Sequence, residues 1–233
     1  MATVHISQMM DCVVNMLNTE WKRLCDKHGI QPVLNICNTY DMVQLRVEDM
    51  RKVGIWDGVA YPTVIKHWKH EKENGSIMIT TCAGYIDSTG QYYYHPRTIV
   101  TYNTLYGLIN TTKGHPDILY RYLLVSLTHE FGHCIANYKQ YGHIRSFDQF
   151  MQVFSENAQK YAEECQQFFK LLDEGKVDFD EYYIRIHDEA DANKSIGLDI
   201  KQIHQVDVEM QHLEESDMVE LDGMLAHYKE ETK

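Results

Sequence analysis

The stretch from residue 116 to residue 142, PDILYRYLLVSLTHEFGHCIANYKQYG, constrains this chain more than any other. Proline is favoured just inside a helix start and glycine just past a helix end, so the stretch reads as one long helix. Leu119, Tyr122, Ser126, His129, His133 and Ala136 fall on one face, and both histidines share the stripe that should turn inward. They flank a glutamate as H-E-x-x-H. An i, i+4 pair on one helical turn aims two imidazoles at the same point, as adjacent ligands of a tetrahedral ion require. Glu130 then projects beside the ion, placed to take a proton from water there. Gly132, lacking a side chain, admits a second backbone close to the helix.

Upstream, SQMMDCVVNMLNTEWKRLCDKHG places Met10, Val13, Leu17, Trp21 and Leu24 at helical spacing, with Ser7 as cap and Gly29 as stop. PVLNIC suits a strand, and DMVQLRVEDMRKVG a short helix ending at Gly54. From residue 63 to residue 103 the segments TVIKHW, SIMITTCAGYI, QYYYH and RTIVTYN predict a small sheet, with DSTG as a turn. Beyond the long helix, SFDQFMQVFSENAQKYAEECQQFFKLL opens with Ser146 and Gln149 in capping-box register. Two further helices are expected, over 180–203 and, acidic, over 205–229. No repeat or low-complexity linker divides the chain.

On a helix that follows such a sheet, LTHEFGH resembles the active-site core of the zincin metallopeptidases, over about residues 75 to 200. The resemblance implies an α+β fold: a zincin-like core with a small mixed sheet, an active-site helix and a helical C-terminal lobe. It divides the chain into a metalloprotease domain, 1–203, and an acidic C-terminal helix, 204–233. It also implies Zn2+ bound by His129 and His133, with Glu130 as general base. The expected activity is zinc-dependent hydrolysis of peptide bonds by Glu-assisted attack of water at the metal, by an endopeptidase ahead of an exopeptidase. A non-catalytic binding or assembly module on the same scaffold is the second reading, because fold alone does not secure activity.

A zincin needs a third protein ligand. Metzincins carry glycine and histidine three and six positions after the second motif histidine; Ala136 and Lys139 stand there and exclude that subgroup. Gluzincins supply a glutamate from a later helix in the form E-x-x-A-N, which Glu189, Ala192 and Asn193 reproduce. Periodicity supports the same residue. Ile186, Glu189, Asn193, Ile196, Ile200 and Ile203 form one helical stripe. A carboxylate there costs several kcal/mol unless a cation or donor meets it. In gluzincins the residue four after the ligand supports a neighbouring ligand, which puts Asn193 behind His129 or His133. His143 is the alternative third ligand. With Gly142, Phe147 and Met151 it is similar to the G-H-G-x-x-F pattern of SprT-like proteases, although Ile144 replaces the second glycine. A third frame uses His187 with Ala190 and Asp191, and Lys194 on that face speaks against it.

Composition narrows the partners. Residues 1–150 carry 14 Lys+Arg against 13 Asp+Glu, whereas residues 151–233 carry 8 against 21, giving +1 and −13 of the total −12. An acidic lobe repels phosphate, so direct nucleic-acid binding is disfavoured; a protein or peptide substrate is expected, with the C-terminal helices open to a protein partner. The six scattered cysteines form no C-x-x-C pair and read as thiols in a reducing compartment. No apolar run long enough to span a bilayer occurs, and the first residues lack the basic flank of a signal peptide, so a cytoplasmic protein is expected. The tyrosines of QYYYH and TYNTLY read as sheet packing, with one in reach of a transition-state oxyanion as the less favoured reading.

Overall fold

The computed structural model of the chain describes residues 6–38, 78–81, 84–112, 115–178 and 181–213. Its first helix, α1 (Ile6–His28), buries Val13, Leu17, Trp21 and Leu24 as the spacing predicts. Gly29, in the left-handed region at φ 67°, ends it. The buried indole of Trp21 donates to the Pro32 carbonyl at 2.9 Å, which fixes how the chain enters the sheet.

Strand β1 (Val33–Cys37) lies parallel to β5 (Arg97–Thr101), and β2 (Ile79–Thr81) lies antiparallel on the other side of β5. The order β1-β5-β2 makes a small mixed sheet with the buried β5 in the middle. Strands β3 (Gly84–Ile86) and β4 (Tyr92–Tyr94) pair as a separate hairpin. Its turn is held by Asp87, whose Oδ1 accepts from the Thr89 and Gln91 amides and the Thr89 hydroxyl. The segment expected as one strand over 76–86 therefore contributes to two different sheets. The expected helix over 41–54 and the strand TVIKHW fall outside the described residues.

One helix escapes the periodicity reading. The tail of RTIVTYN turns helical at α2 (Tyr102–Thr111), because the Thr101 hydroxyl accepts the Thr104 amide as an N-cap. Aromatic and β-branched residues favour strand there, but burial of Leu105 and Ile109 against α1 and α3 decides otherwise. Helices α3 (Pro116–Tyr141) and α4 (Phe147–Asp173) follow, the second capped by Ser146 on Gln149 as its sequence predicts.

The helix expected over 180–203 is broken. Ile186 leaves helical geometry (φ −80°, ψ 119°) and plugs a small core with Phe168 and Val177. It separates α5 (Tyr182–Arg185) from α6 (His187–Ile196), whose first amide is capped by the Glu164 carboxylate at 2.8 Å. Gly197, at φ 74°, closes α6, and a helix over 200–213 (α7) follows. The described fold is thus a mostly helical α+β arrangement with a small mixed sheet. No described helix is long and apolar enough to cross a membrane.

The main core joins α1, β5, α2 and α3 through residues including Leu17, Trp21, Val100, Leu123 and Phe131. On the opposite flank α6 crosses α3 at very close range. A methyl group on Gly132 would collide with the Ala192 carbonyl, so the glycine is required by the approach itself. Gly132→Ala is expected to lower the unfolding free energy in urea by about 1–3 kcal/mol through overpacking. Gly107→Ala, in α2 with nothing near its Cβ position, is expected to raise it by about 0.5–1 kcal/mol.

Candidate metal centre

The close crossing sets what α6 can deliver to α3. His129 and His133 lie one turn apart on α3, and Glu189 lies in the first turn of α6; all three are buried. His129 Nε2 is 3.0 Å from Glu189 Oε2 and 3.2 Å from His133 Nε2, and His133 Nε2 is 3.3 Å from the same carboxylate oxygen. Three donors therefore form a nearly equilateral triangle. The edge of a tetrahedron around an ion with bonds of ~2.0–2.1 Å is about 3.3 Å, so the triangle has the size of one face of a zinc coordination sphere.

The outer nitrogens explain the protonation pattern. His129 Nδ1 donates to Asn193 Oδ1 at 2.8 Å, and His133 Nδ1 faces the Asp188 carboxylate at 3.3 Å. An N–H on each Nδ1 leaves a lone pair on each Nε2. Two lone pairs and a carboxylate converging in a buried spot repel one another unless a cation lies between them, and a divalent ion meets all three. The donor set thus fits a metal. Asn193, expected behind one of the two histidines, supports His129; Asp188, behind His133, was not foreseen.

Electrostatics follow from this crowding. Burial disfavours ionised Glu189, yet His133 and His129 outweigh it and hold the carboxyl well below the usual range. Burial likewise opposes charge on His133, but Glu189, Asp188 and Glu130 together raise it well above an ordinary histidine. Burial raises the Glu130 carboxyl, against the pull of His133 and His129.

Glu130 shares a pocket of ≈ 190 Å³ with the three donors. Tyr122 and Ser126 of α3, Tyr161 of α4, Tyr182 and Tyr183 of α5, and Ile203, Val206 and Asp207 of α7 line it. Tyr183 packs edge-on against His129 with ring centroids 5.4 Å apart, and the Tyr161 and Tyr182 hydroxyls are 2.8 Å apart. Burial first, then nearby carboxylates, pushes the phenols of Tyr161, Tyr182 and Tyr183 well up, so all remain protonated donors. The sheet tyrosines lie elsewhere: Tyr92 and Tyr94 pack with Tyr141 and Phe150 in a second core.

The other candidates stand apart. His143 is exposed in the turn after α3, and His187 is exposed and pairs with Asp191. Among the described residues, His129, His133 and Glu189 form the only cluster with metal-ligand spacing.

Comparison of the chain with protein-family models, with curated proteins and with solved structures returns no match. What the geometry defines is a buried His-His-Glu triad able to hold a metal ion and compatible with an H-E-x-x-H site.

Metal analysis after zinc loading is expected to find one ion per chain in the wild type and in His143→Ala, and none in Glu189→Ala. Asp188→Asn and Asn193→Leu are expected to weaken zinc affinity about 10–100-fold, measured by competition with a chelator.

The pH dependence has a definite sign. Without metal, the raised His133 contributes stability below about pH 6.5 that is lost as pH rises through its folded value. The depressed Glu189 contributes above about pH 4.5 and loses this as pH falls through its folded value. The metal-free pair is most stabilising between these limits. Metal requires the deprotonated histidine, so the rise in Tm on adding zinc should grow from pH 5.5 to pH 8 in thermal scans.

Proposed function

We propose that this chain is a zinc-dependent peptidase with a zincin-like core, in which His129, His133 and Glu189 hold the ion and Glu130 is the general base. The observation that carries the reading is the donor triangle one residue from Glu130. In an isolated metal-storage or structural site that glutamate has no task, and structural zinc sites take four protein ligands where three converge among the described residues.

Zinc in such a site supplies Lewis acidity, which polarises a substrate carbonyl and makes water acidic near neutral pH. The chain's own residues do the rest. Glu130, its carboxyl raised by burial, accepts the proton of the attacking water and returns it to the leaving amine nitrogen, as a base tuned toward neutrality should. Asn193 and Asp188 keep the N–H of each imidazole on Nδ1, so that Nε2 is the nitrogen turned toward the ion. Tyr183, against His129, and the Tyr161–Tyr182 pair present neutral hydroxyls to the pocket, where a developing oxyanion would need donors. Met78, Val125, Ile203 and Val206 supply apolar walls that limit water and strengthen these interactions.

Glu130→Gln separates an enzyme from a binding or assembly module on the same scaffold. A peptidase is expected to lose about 10²–10⁴-fold in kcat against a fluorogenic peptide library while retaining stoichiometric zinc. A wild type that hydrolyses none of the library, with zinc bound, contradicts the peptidase reading.

A further inference from the structure

Two hydroxyls and a thiol meet where β2 and β5 pack against α3. Thr80 and Thr98 are partners in the antiparallel β2–β5 register, and their hydroxyl oxygens are 2.7 Å apart. Thr98 Oγ1 is 3.8 Å from Cys134 Sγ, and the Thr80 hydroxyl donates to the Glu130 carbonyl at 3.2 Å. Thr98 and Cys134 are fully buried. No step of the proposed reaction uses them.

Proton counting fixes the direction of this row. A carbonyl oxygen only accepts, so the Thr80 proton points at Glu130. The proton between the two threonines is then that of Thr98, which leaves Thr98 Oγ1 as acceptor for the Cys134 thiol. Burial pushes that thiol well up, so it keeps the proton it donates. Each member thus gives its proton toward Glu130. The Thr80 hydroxyl also reaches the Glu130 carboxyl: burial raises that group, and His133, His129 and the hydrogen bond from Thr80 pull it back.

A threonine pair across two strands is ordinary sheet packing. Its location gives this one a further role. Met78, just before β2, lines the metal pocket, and Thr80, two residues on, presents its hydroxyl to Glu130. A general base must hold a fixed place within reach of its proton, and Glu130 is not tied down by the ion as the ligands are.

We infer that Thr80 is a positioning residue for Glu130: its hydroxyl, oriented by Thr98 and Cys134, holds the glutamate in place beside the metal site. That Glu130 serves as general base rests on the peptidase reading; its positioning by Thr80 does not.

The test is the affinity of the zinc-loaded protein for a dansyl-leucyl hydroxamate, followed by fluorescence, since a hydroxamate on zinc gives its hydroxyl proton to a neighbouring carboxylate. Thr80→Val is expected to weaken binding about tenfold, as loss of a hydrogen bond to a charged group implies, with stoichiometric zinc retained. Thr80→Ser, which keeps the hydroxyl, should bind within about threefold of the wild type. Glu130→Gln should bind weakly, and adding Thr80→Val to it should cause no further loss, because the effect passes through Glu130. The inference is overturned if Thr80→Val binds like the wild type, if Thr80→Ser loses as much, if either variant loses zinc, if the loss persists undiminished in Glu130→Gln, or if the wild type does not bind the probe. Turnover of the fluorogenic library on the same proteins keeps the two readings apart, and there Thr80→Val should lower kcat about tenfold and leave KM unchanged. Coupling without wild-type turnover keeps Thr80 as a positioning residue and removes the peptidase, and turnover without coupling does the reverse.

Discussion

The approach of α6 to α3 at Gly132 is the constraint from which the site follows. A helix presenting H-E-x-x-H offers two ligands and no more; the third must arrive from elsewhere at a fixed height and distance. Contact between the Ala192 carbonyl and the bare Gly132 backbone fixes both. It places Glu189 and Asn193, one turn apart on α6, against His129, so ligand and supporting amide arrive as a unit. The energetic cost of burying a carboxylate and two imidazoles is offset in part by their own pairing and most fully when all three share a cation, which ties the integrity of the interface to the chemistry it serves.

Sequence was informative where the determining interactions are local. The i, i+4 histidine pair, the capping of α4 by Ser146, and the stop of α1 at Gly29 all depend on residues a turn apart, and each stands in the fold as its spacing predicts. Glu189 was legible for a different reason: a carboxylate in an apolar stripe demands an explanation wherever the stripe packs. The same stripe misled about the backbone. Ile186 to Ile203 reads as one helix by period, yet Gly197 in the left-handed region and the plug of Ile186 beside Phe168 divide it.

What stayed hidden depends on tertiary placement. Asp188 is 47% exposed at its side chain and carries no periodic signal; only the position of His133 across the helix interface gives it a role. Tyr161, Tyr182 and Tyr183 come to the pocket from α4 and α5, and no spacing relates them to the motif on α3. The strand-like composition of α2 was overridden by a threonine cap and two buried residues four apart, a contest that propensity alone decides wrongly. Tyr92 and Tyr94 pack into a core, as the sequence reading favours, whereas Tyr102 and Tyr106 stand exposed on α2 and not in the sheet.

The central claim is that two imidazole nitrogens and one carboxylate oxygen share a single ion. X-ray absorption at the zinc edge of the loaded protein tests it most directly. The account predicts a first shell of nitrogen and oxygen only, at about 2.0–2.2 Å, with the outer-shell scattering of two imidazoles. Sulfur at about 2.3 Å, or the signature of a single imidazole, would contradict it.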